Sequence, residues 1–410
     1  MTKKARRKVP ELRFPEFHGD WKTDRADHFL VRYVNPVDVQ LDTEYEQIGI
    51  RSHGKGIFHK EPVTGRELGN KRVYWVHPEA FTVNIVFAWE QAVALTSDAE
   101  KGFIASHRFL MFLPKENRVD LKFILFFFLR KRGKSLLELA SPGGAGRNKT
   151  LGQDNFAELQ ITLPKKEEQE KIASFLGAID TRLTQLRRKH ELLQTYKRGV
   201  MQKLFSQQIR FKCDDGKPFP DWEERKLNKL LFEHKERNYN LLFSKDDVLS
   251  VSGDVGIVNQ IQHLGRSYAG ESVANYHIAH AGDIVYTKSP LKNNPYGIIK
   301  ANKGKAGIVS TLYAVYSCKE GVSSDYLDCY FSIDENLNGY LRPLVHKGAK
   351  NDMKINNQRV LIDSIVIPSF EEQKKIVKFI NLIDKKIEAI AKQINLTEQF
   401  KKGLLQKMFV

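Results

Sequence analysis

The clearest order along the chain is a long run of three- and four-residue steps. From Ile172 the apolar or semi-apolar positions fall at Phe175, Ile179, Leu183, Leu186, His190, Leu193, Lys197, Val200 and Leu204, which predicts one amphipathic helix. The spacing returns near the end of the chain at Ile376, Phe379, Ile383, Ile387, Ile390, Ile394, Thr397, Lys401, Leu404 and Met408. In both runs the steps after the Phe are four and four, a stutter in an otherwise heptad pattern. Pro164 and Pro368 stand at the predicted helix starts, and the Glu-Glu-Gln behind each places carboxylates near the positive end of the helix dipole. Some 40 residues of helix would reach ~60 Å. A seam that long needs a partner helix, and each run supplies one for the other. Elsewhere the pattern is mixed: residues 82–88 and 283–287 read as strands, and residues 119–130 and 323–332 as helices, with Gly and Asn turns between them. The most apolar run, 123–129, is far short of the ~20 residues that cross a bilayer and reads as a buried helix.

The two helical runs belong to an internal repeat. Pro164, Glu167, Glu168, Gln169, Lys171, Ile172, Phe175, Ile179 and Asp180 recur 204 residues later as Pro368, Glu371, Glu372, Gln373, Lys375, Ile376, Phe379, Ile383 and Asp384. Leu192, Lys197, Gly199, Gln202, Lys203 and Phe205 return at the same offset, giving 15 identities in 42 positions without a gap. Weaker echoes lie upstream: Gly144-Ala145 with Gly348-Ala349, Ile104 and Ser106 with Ile308 and Ser310, and Phe14-Pro15 before Trp21 with Phe219-Pro220 before Trp222. A period of this length exceeds that of a solenoid and indicates a domain plus helix written twice. The expected divisions are residues 1–163, a first globular domain; 164–207, a central helix; 208–367, a second globular domain; and 368–410, a C-terminal helix. The class is α+β, with the two helices pairing as a coiled coil. The copies agree at their ends and helices and differ in their middles, as a shared scaffold with different surfaces would.

Composition adds a direction. Of the 410 residues, 66 are Lys or Arg and 49 are Asp or Glu, a formal charge of +17, while 41% are hydrophobic, enough to bury a core in each domain. The positive excess is shared by both halves and favours a polyanion such as nucleic acid, with an anionic membrane surface and plain solubility as the alternatives. Cys213, Cys318 and Cys329 have no C-x-x-C spacing, which argues against a disulfide framework or a zinc site and fits a reducing cytoplasm. The basic start is followed by Glu11, Arg13 and Glu16 rather than an apolar stretch, so secretion is not expected; no membrane partner is expected either.

Two motifs approach catalytic patterns without completing them. Gly143-Gly144-Ala145-Gly146-Arg147-Asn148-Lys149-Thr150 resembles a phosphate-cradling loop, but Asn148 stands where glycine is required, and Gly348 to Met353 in the second copy drops the Lys-Thr. Asn293-Asn294-Pro295-Tyr296 resembles the Asn-Pro-Pro-Tyr loop that holds a flipped adenine, with one proline missing and no Gly-rich turn for S-adenosylmethionine beside it, so an Asn-Pro turn is expected. No metal is called for, and no catalytic centre is found. The residues suit duplex binding, in which cations position phosphates and Arg, Lys, Asn or Gln read base edges. The first domain offers Arg51, His53, Lys55, Lys60, Arg66, Lys71 and Arg72, and the second Lys288, Lys292, Asn293, Asn294, Lys300, Asn302, Lys303 and Lys305.

The duplicated Pro-x-x-Glu-Glu-Gln-x-Lys-Ile-x-x-Phe at 164–175 and 368–379, the Ile-Asp after each, the Lys-x-Gly-x-x-Gln-Lys-x-Phe endings, and the lead-ins at 10–15 and 218–222 resemble the specificity subunit of type I restriction-modification systems over nearly the whole chain. The resemblance implies a non-catalytic, cytoplasmic subunit that binds double-stranded DNA at a bipartite target, one half per target-recognition domain. The two helices would pack as an antiparallel coiled coil and act as a ruler between the halves. They would also dock two modification subunits, through a seam that includes Ile172, Phe175, Ile179, Leu183, Leu186, Ile376, Phe379, Ile383, Ile387 and Ile390, and restriction subunits would join the complex. No cofactor is expected in this chain; S-adenosylmethionine, ATP and magnesium would serve the partners. Lys165-Lys166 in place of Ser369-Phe370, and His190 where the second copy has Ile394, depart from strict repetition. The alternatives are a stand-alone bipartite DNA-binding or architectural protein and, less in keeping with the incomplete motifs, a fused methyltransferase.

Overall fold

The computed structural model describes residues 8–143, 149–291, 293–345 and 355–410. Residues 144–148 of the phosphate-loop look-alike, its counterpart at 348–353, the Gly144-Ala145 and Gly348-Ala349 match, and Lys292 lie outside the described residues. The fold is α+β and forms two compact units, one from the residues up to 187 together with 392–410, the other from residues 188–391. Two long helices, a central one at Lys166–Phe205 and a C-terminal one at Phe370–Lys407, begin two residues after Pro164 and Pro368. Each unit therefore holds the first half of one long helix and the last part of the other. Within unit 1 Lys401 Nζ meets Asp180 at 2.5 Å and Arg187 meets Glu398 at 2.6 Å; within unit 2 Lys197 meets Asp384 at 2.6 Å. In unit 1 rising numbers on one helix match falling numbers on the other, so the pairing there is antiparallel. Among the described residues no helix is long and apolar enough to cross a membrane.

The two units share a frame. In unit 1 the strands Leu30–Tyr33, Phe109–Pro114, Phe81–Asn84 and Val93–Leu95 form an antiparallel four-stranded sheet in that order, and in unit 2 Leu231–Glu233, Ala314–Cys318, Ile284–Tyr286 and Ile299–Ala301 do the same. A two-stranded clip closes each domain where the chain enters and leaves it: Lys22 pairs with Leu163, and Glu223 with Ile367. Beside the clip lies the expected apolar helix, Leu121–Leu129, whose Phe123, Ile124, Phe126, Phe127 and Phe128 are buried; its counterpart is Ser324–Phe331. Beyond this frame the units diverge. Unit 1 adds a second four-stranded sheet built on the hairpin Glu44–Ile50 and Ile57–Thr64, whereas unit 2 has two-stranded pairs at Leu249–Ser252 with Gly256–Asn259 and at His277–Ala279 with Gly307–Val309.

The repeated Glu-Glu-Gln does more than complement a dipole. Glu168 accepts from Arg13 Nε at 2.8 Å and Nη2 at 2.7 Å and from the Trp21 indole N–H at 3.3 Å, with its side chain only 2% exposed. Glu372, 1% exposed, accepts from Arg210 Nε at 3.2 Å and Nη2 at 2.8 Å and from the Trp222 indole at 3.1 Å. The hydrogen bonds to Glu372 hold the Arg210 guanidinium above its ordinary range against the opposing effect of burial. The glutamines cap the neighbouring helix: Gln169 Oε1 accepts from Asp120 N and Gln373 Oε1 from Ser323 N, while their amides donate back to the carbonyls of Pro164 and Pro368. This geometry corrects the sequence match of Phe14-Pro15 with Phe219-Pro220. Phe14 packs edge-on against Phe175, and the residue doing so against Phe379 is Phe211, adjoining the clamp arginine as Phe14 adjoins Arg13.

The long helices bury more than a single seam. Ile172, Ala173 and Leu176 enter the unit 1 core together with Leu404, Met408 and Phe409 from the other helix; Ile376, Val377 and Ile380 enter that of unit 2 with Met201 and Leu204. Near its start each helix touches both its own domain and the end of the opposite helix, so the buried stripe widens by one position. Leu183, Leu186, Ile383 and Ile390 are buried, Ile179 and Phe379 partly so, while Ile387 is half-buried and Phe175 lies on the rim under Phe14. Removing a buried acceptor strands a cation and an indole N–H. Glu372→Ala is expected to destabilise unit 2 by about 3 kcal/mol, read as a lowered urea midpoint in tryptophan fluorescence, with Glu372→Gln costing less.

Candidate nucleic-acid interface

In unit 1 the predicted basic residues are all exposed, but they do not form one patch. Arg51, His53 and Lys55 lie in the turn of the hairpin 44–64. His53 and Gly54 take left-handed backbone conformations with φ of 61° and 64°, and their N–H groups donate to Glu90 O and Gln91 O. The positive φ favours glycine at position 54, and a Cβ there would also displace the end of the Leu129 side chain. Lys60 stands on the returning strand, its ammonium 5.9 Å from the centre of the Phe109 ring. Arg66 is at the far end of that strand, roughly 20 Å from the turn at ~3.3 Å per residue, and is engaged by Asp42 at 2.8 Å. Lys71 and Arg72 follow in the next turn.

The hairpin also holds a residue that the basic pattern did not single out. Phe58 lies across the strand from Gly49, its ring covering the place where a Cβ would stand, and the Arg51 guanidinium sits 4.6 Å above that ring. An arginine stacked on a half-buried phenylalanine is a rigid, cationic platform. The sequence signal was present as the cross-strand glycine, but it becomes meaningful only once the register is known.

Unit 2 sorts its candidates differently. Lys303 and Lys305 are exposed, as is Asn293, whose carbonyl accepts from Asn338. Lys303 meets Asp328 at 2.7 Å; burial alone would depress its ammonium, and the Asp328 carboxylate outweighs that and raises it. Lys288 is half-buried and depressed by burial, with Glu233 opposing. Asn302 is 1% exposed and saturated: its amide donates to Ala279 O, His280 O and Lys305 O, and its oxygen accepts from Gly304 N. Asn294 is committed to Asp334 at 2.7 Å, and Lys300 to Ser332 at 2.9 Å. These three are buried and engaged inside the domain. The Asn-Pro-Tyr segment closes a turn, with Gly297 N donating to Asn294 O and the Tyr286 hydroxyl to Tyr296 O.

A second feature of unit 2 lies outside the basic stretch. Asn238, itself buried, bonds Phe243 N and O, and so holds a loop on which Tyr239, Leu241 and Leu242 are 62–73% exposed. Large apolar side chains on a pinned loop in a cationic domain suit stacking or wedging against bases. Cys318 and Cys329 are free thiols pushed up to about 12 by burial.

Residues 67–194 match the family model described as the type I restriction modification DNA specificity domain. The chain is 24% identical over 315 residues to a Methanocaldococcus jannaschii protein described as the putative type I restriction enzyme MjaX specificity subunit, covering 72% of this chain and 69% of that one. It is also 24% identical over 430 aligned positions to the type I restriction enzyme MjaVIII specificity subunit of the same organism, covering 96% and 94%. Among solved structures, the HsdS subunit from Thermoanaerobacter tengcongensis matches with a TM-score of 0.51 at 17% identity, covering 95% of this chain and 96% of that one. The type I restriction-modification S subunit from M. genitalium matches with 0.55 at 15% identity, covering 98% and 99%. At these identities the structures speak to the fold, which is shared along almost the entire chain.

The division of unit 2 into buried and exposed candidates is measurable. Asn302→Ala leaves several buried partners unsatisfied and is expected to cost about 2 kcal/mol of stability, whereas Lys305→Ala should stay within about 0.5 kcal/mol of the native chain, both read from chemical denaturation.

Proposed function

We infer that this chain is the DNA sequence-specificity subunit of a type I restriction-modification system. The resemblance carried by the duplicated helix motif is borne out by the family model and by relatives that span the chain. As such it is a non-catalytic component that works with DNA and with the other subunits of the system. The observation that carries the reading is the duplicated frame. One chain holds the same sheet, clip and glutamate clamp twice, and sets a different surface on each.

Beyond that, the recognition domains each read one half of a bipartite target, and the paired helices set the spacing between the halves. The helices also dock two modification subunits, which supply S-adenosylmethionine and methylate adenine, and restriction subunits add ATP- and magnesium-dependent steps. The complex acts in the cytoplasm. The division of the chain is the one expected from its repeat: recognition domains at 1–163 and 208–367, conserved helices at 164–207 and 368–410. For the DNA face, the exposed residues Arg51, His53, Lys55 and Lys60 of the hairpin, with Phe58, are the favoured part of the first domain. Lys303, Lys305 and Asn293, with the Tyr239–Leu242 loop, are the favoured part of the second. The accessible cations place phosphates and give a salt-dependent affinity, while base discrimination falls to the surfaces in which the units differ.

The clip makes the reading testable, because the chain enters and leaves each domain at paired positions. Replacing residues 22–163 with the corresponding domain of another specificity subunit, then mapping methylated adenines after co-expression with a modification subunit, should change one half of the target and leave the other. A change in both halves, or methyl transfer by this chain alone, contradicts the reading. In the same complex, the triple variant R51A/K55A/K60A should lower the slope of log affinity against log salt by about 0.9 for each phosphate no longer neutralised, with the methylated sequence retained.

A further inference from the structure

Among the described residues, one group outside the basic stretches brings metal-ligating atoms together: His234, Glu236 and His280, within unit 2. Glu236 Oε2 lies 3.1 Å from His234 Nε2 and 2.9 Å from His280 Nε2, and the three ligand atoms all fall within 4.8 Å of one another. The imidazoles meet edge to face, with ring centres 5.3 Å apart. Both are held at strand ends, His234 directly after Leu231–Glu233 and His280 directly after His277–Ala279.

The hydrogens can be counted. Ser317 Oγ donates its one proton to Asp283 Oδ1 at 2.7 Å, so its 3.3 Å approach to His234 Nδ1 requires that nitrogen to carry the hydrogen. With Nδ1 turned to the serine, His234 presents Nε2 to a carboxylate oxygen, and a second imidazole nitrogen points at the same oxygen. This juxtaposition calls for positive charge among the three atoms. An outer hydrogen bond that fixes the ring and its tautomer is also how ligating histidines are held. Two imidazole nitrogens and one carboxylate, open to solvent on one side, match the donor set and count of a zinc-type site with water in the fourth position.

We propose that His234, Glu236 and His280 bind one divalent transition-metal ion of the zinc class. The ion clips the segment after Leu231–Glu233 to the turn after His277–Ala279. The same segment carries Asn238, so the clip also steadies the loop that presents Tyr239, Leu241 and Leu242. The site is peculiar to unit 2: the matching strand of unit 1 ends in Tyr33, packed on His77, and no such group occurs there among the described residues.

The test uses the full chain, purified without a histidine tag, stripped with chelator and titrated with zinc chloride in a calorimeter. About one equivalent is expected to bind. His280→Ala should abolish that equivalent, Ser317→Ala, which removes the outer hydrogen bond to His234 together with the one to Asp283, should weaken it about tenfold, and His263→Ala elsewhere should leave it unchanged. X-ray absorption of the zinc-loaded native chain reads the ligand set without requiring any variant to fold: two imidazoles plus oxygen ligands support the site, and sulfur or a single imidazole refutes it. Absence of saturable binding by the native chain, or one-equivalent binding that survives the H234A/H280A double variant, also overturns it.

Discussion

A buried carboxylate that must be satisfied is the constraint on which each unit depends. Glu168 and Glu372 sit at the starts of the long helices with almost no exposure, and each is neutralised by an arginine fork and an indole N–H from the lead-in segment. Burying an ion is costly unless its partners are in place, so these residues admit one docking of lead-in on helix. The glutamine beside each glutamate then fixes the next helix by bonding the N–H at its cap. Two adjacent side chains thereby align three elements, which accounts for a Glu-Glu-Gln kept in both copies.

The frame also explains how one protein can hold two unlike surfaces. The domain termini are joined by a clip, and the apolar helix and four-stranded sheet are repeated, so the variable parts hang from positions that do not depend on their sequence. A hairpin of eight-residue reach in one unit and small two-stranded pairs in the other are both accommodated. This separation lets the surface of each unit change while the helices and the frame stay the same.

Legibility in the sequence followed the range of the interaction. The long helices, the buried run at 123–129 and the two-copy plan could be read because they rest on local periodicity and on repetition. The seam was read one position too narrow, since Leu176 and Ile380 are buried by a neighbour distant in sequence. The candidate interface was less legible. Asn302, Asn294 and Lys300 have the residue types that bind DNA, yet they are spent on internal bonds, while Phe58 and the Tyr239–Leu242 loop gave no charge signal at all.

The sequence alone determined the α+β class, the duplication, the two helices and the absence of a complete catalytic motif, because each is written in spacing and residue type. Only the tertiary structure decided that Arg210 and Phe211 match Arg13 and Phe14, in place of the pairing of Phe14-Pro15 with Phe219-Pro220, that Met408 and Phe409 complete the core of unit 1, and which polar groups are spent on internal bonds. The physical reason is the same in each case. Whether a side chain is an anchor or a contact depends on what lies across from it, and in this chain that neighbour is commonly more than 100 residues away.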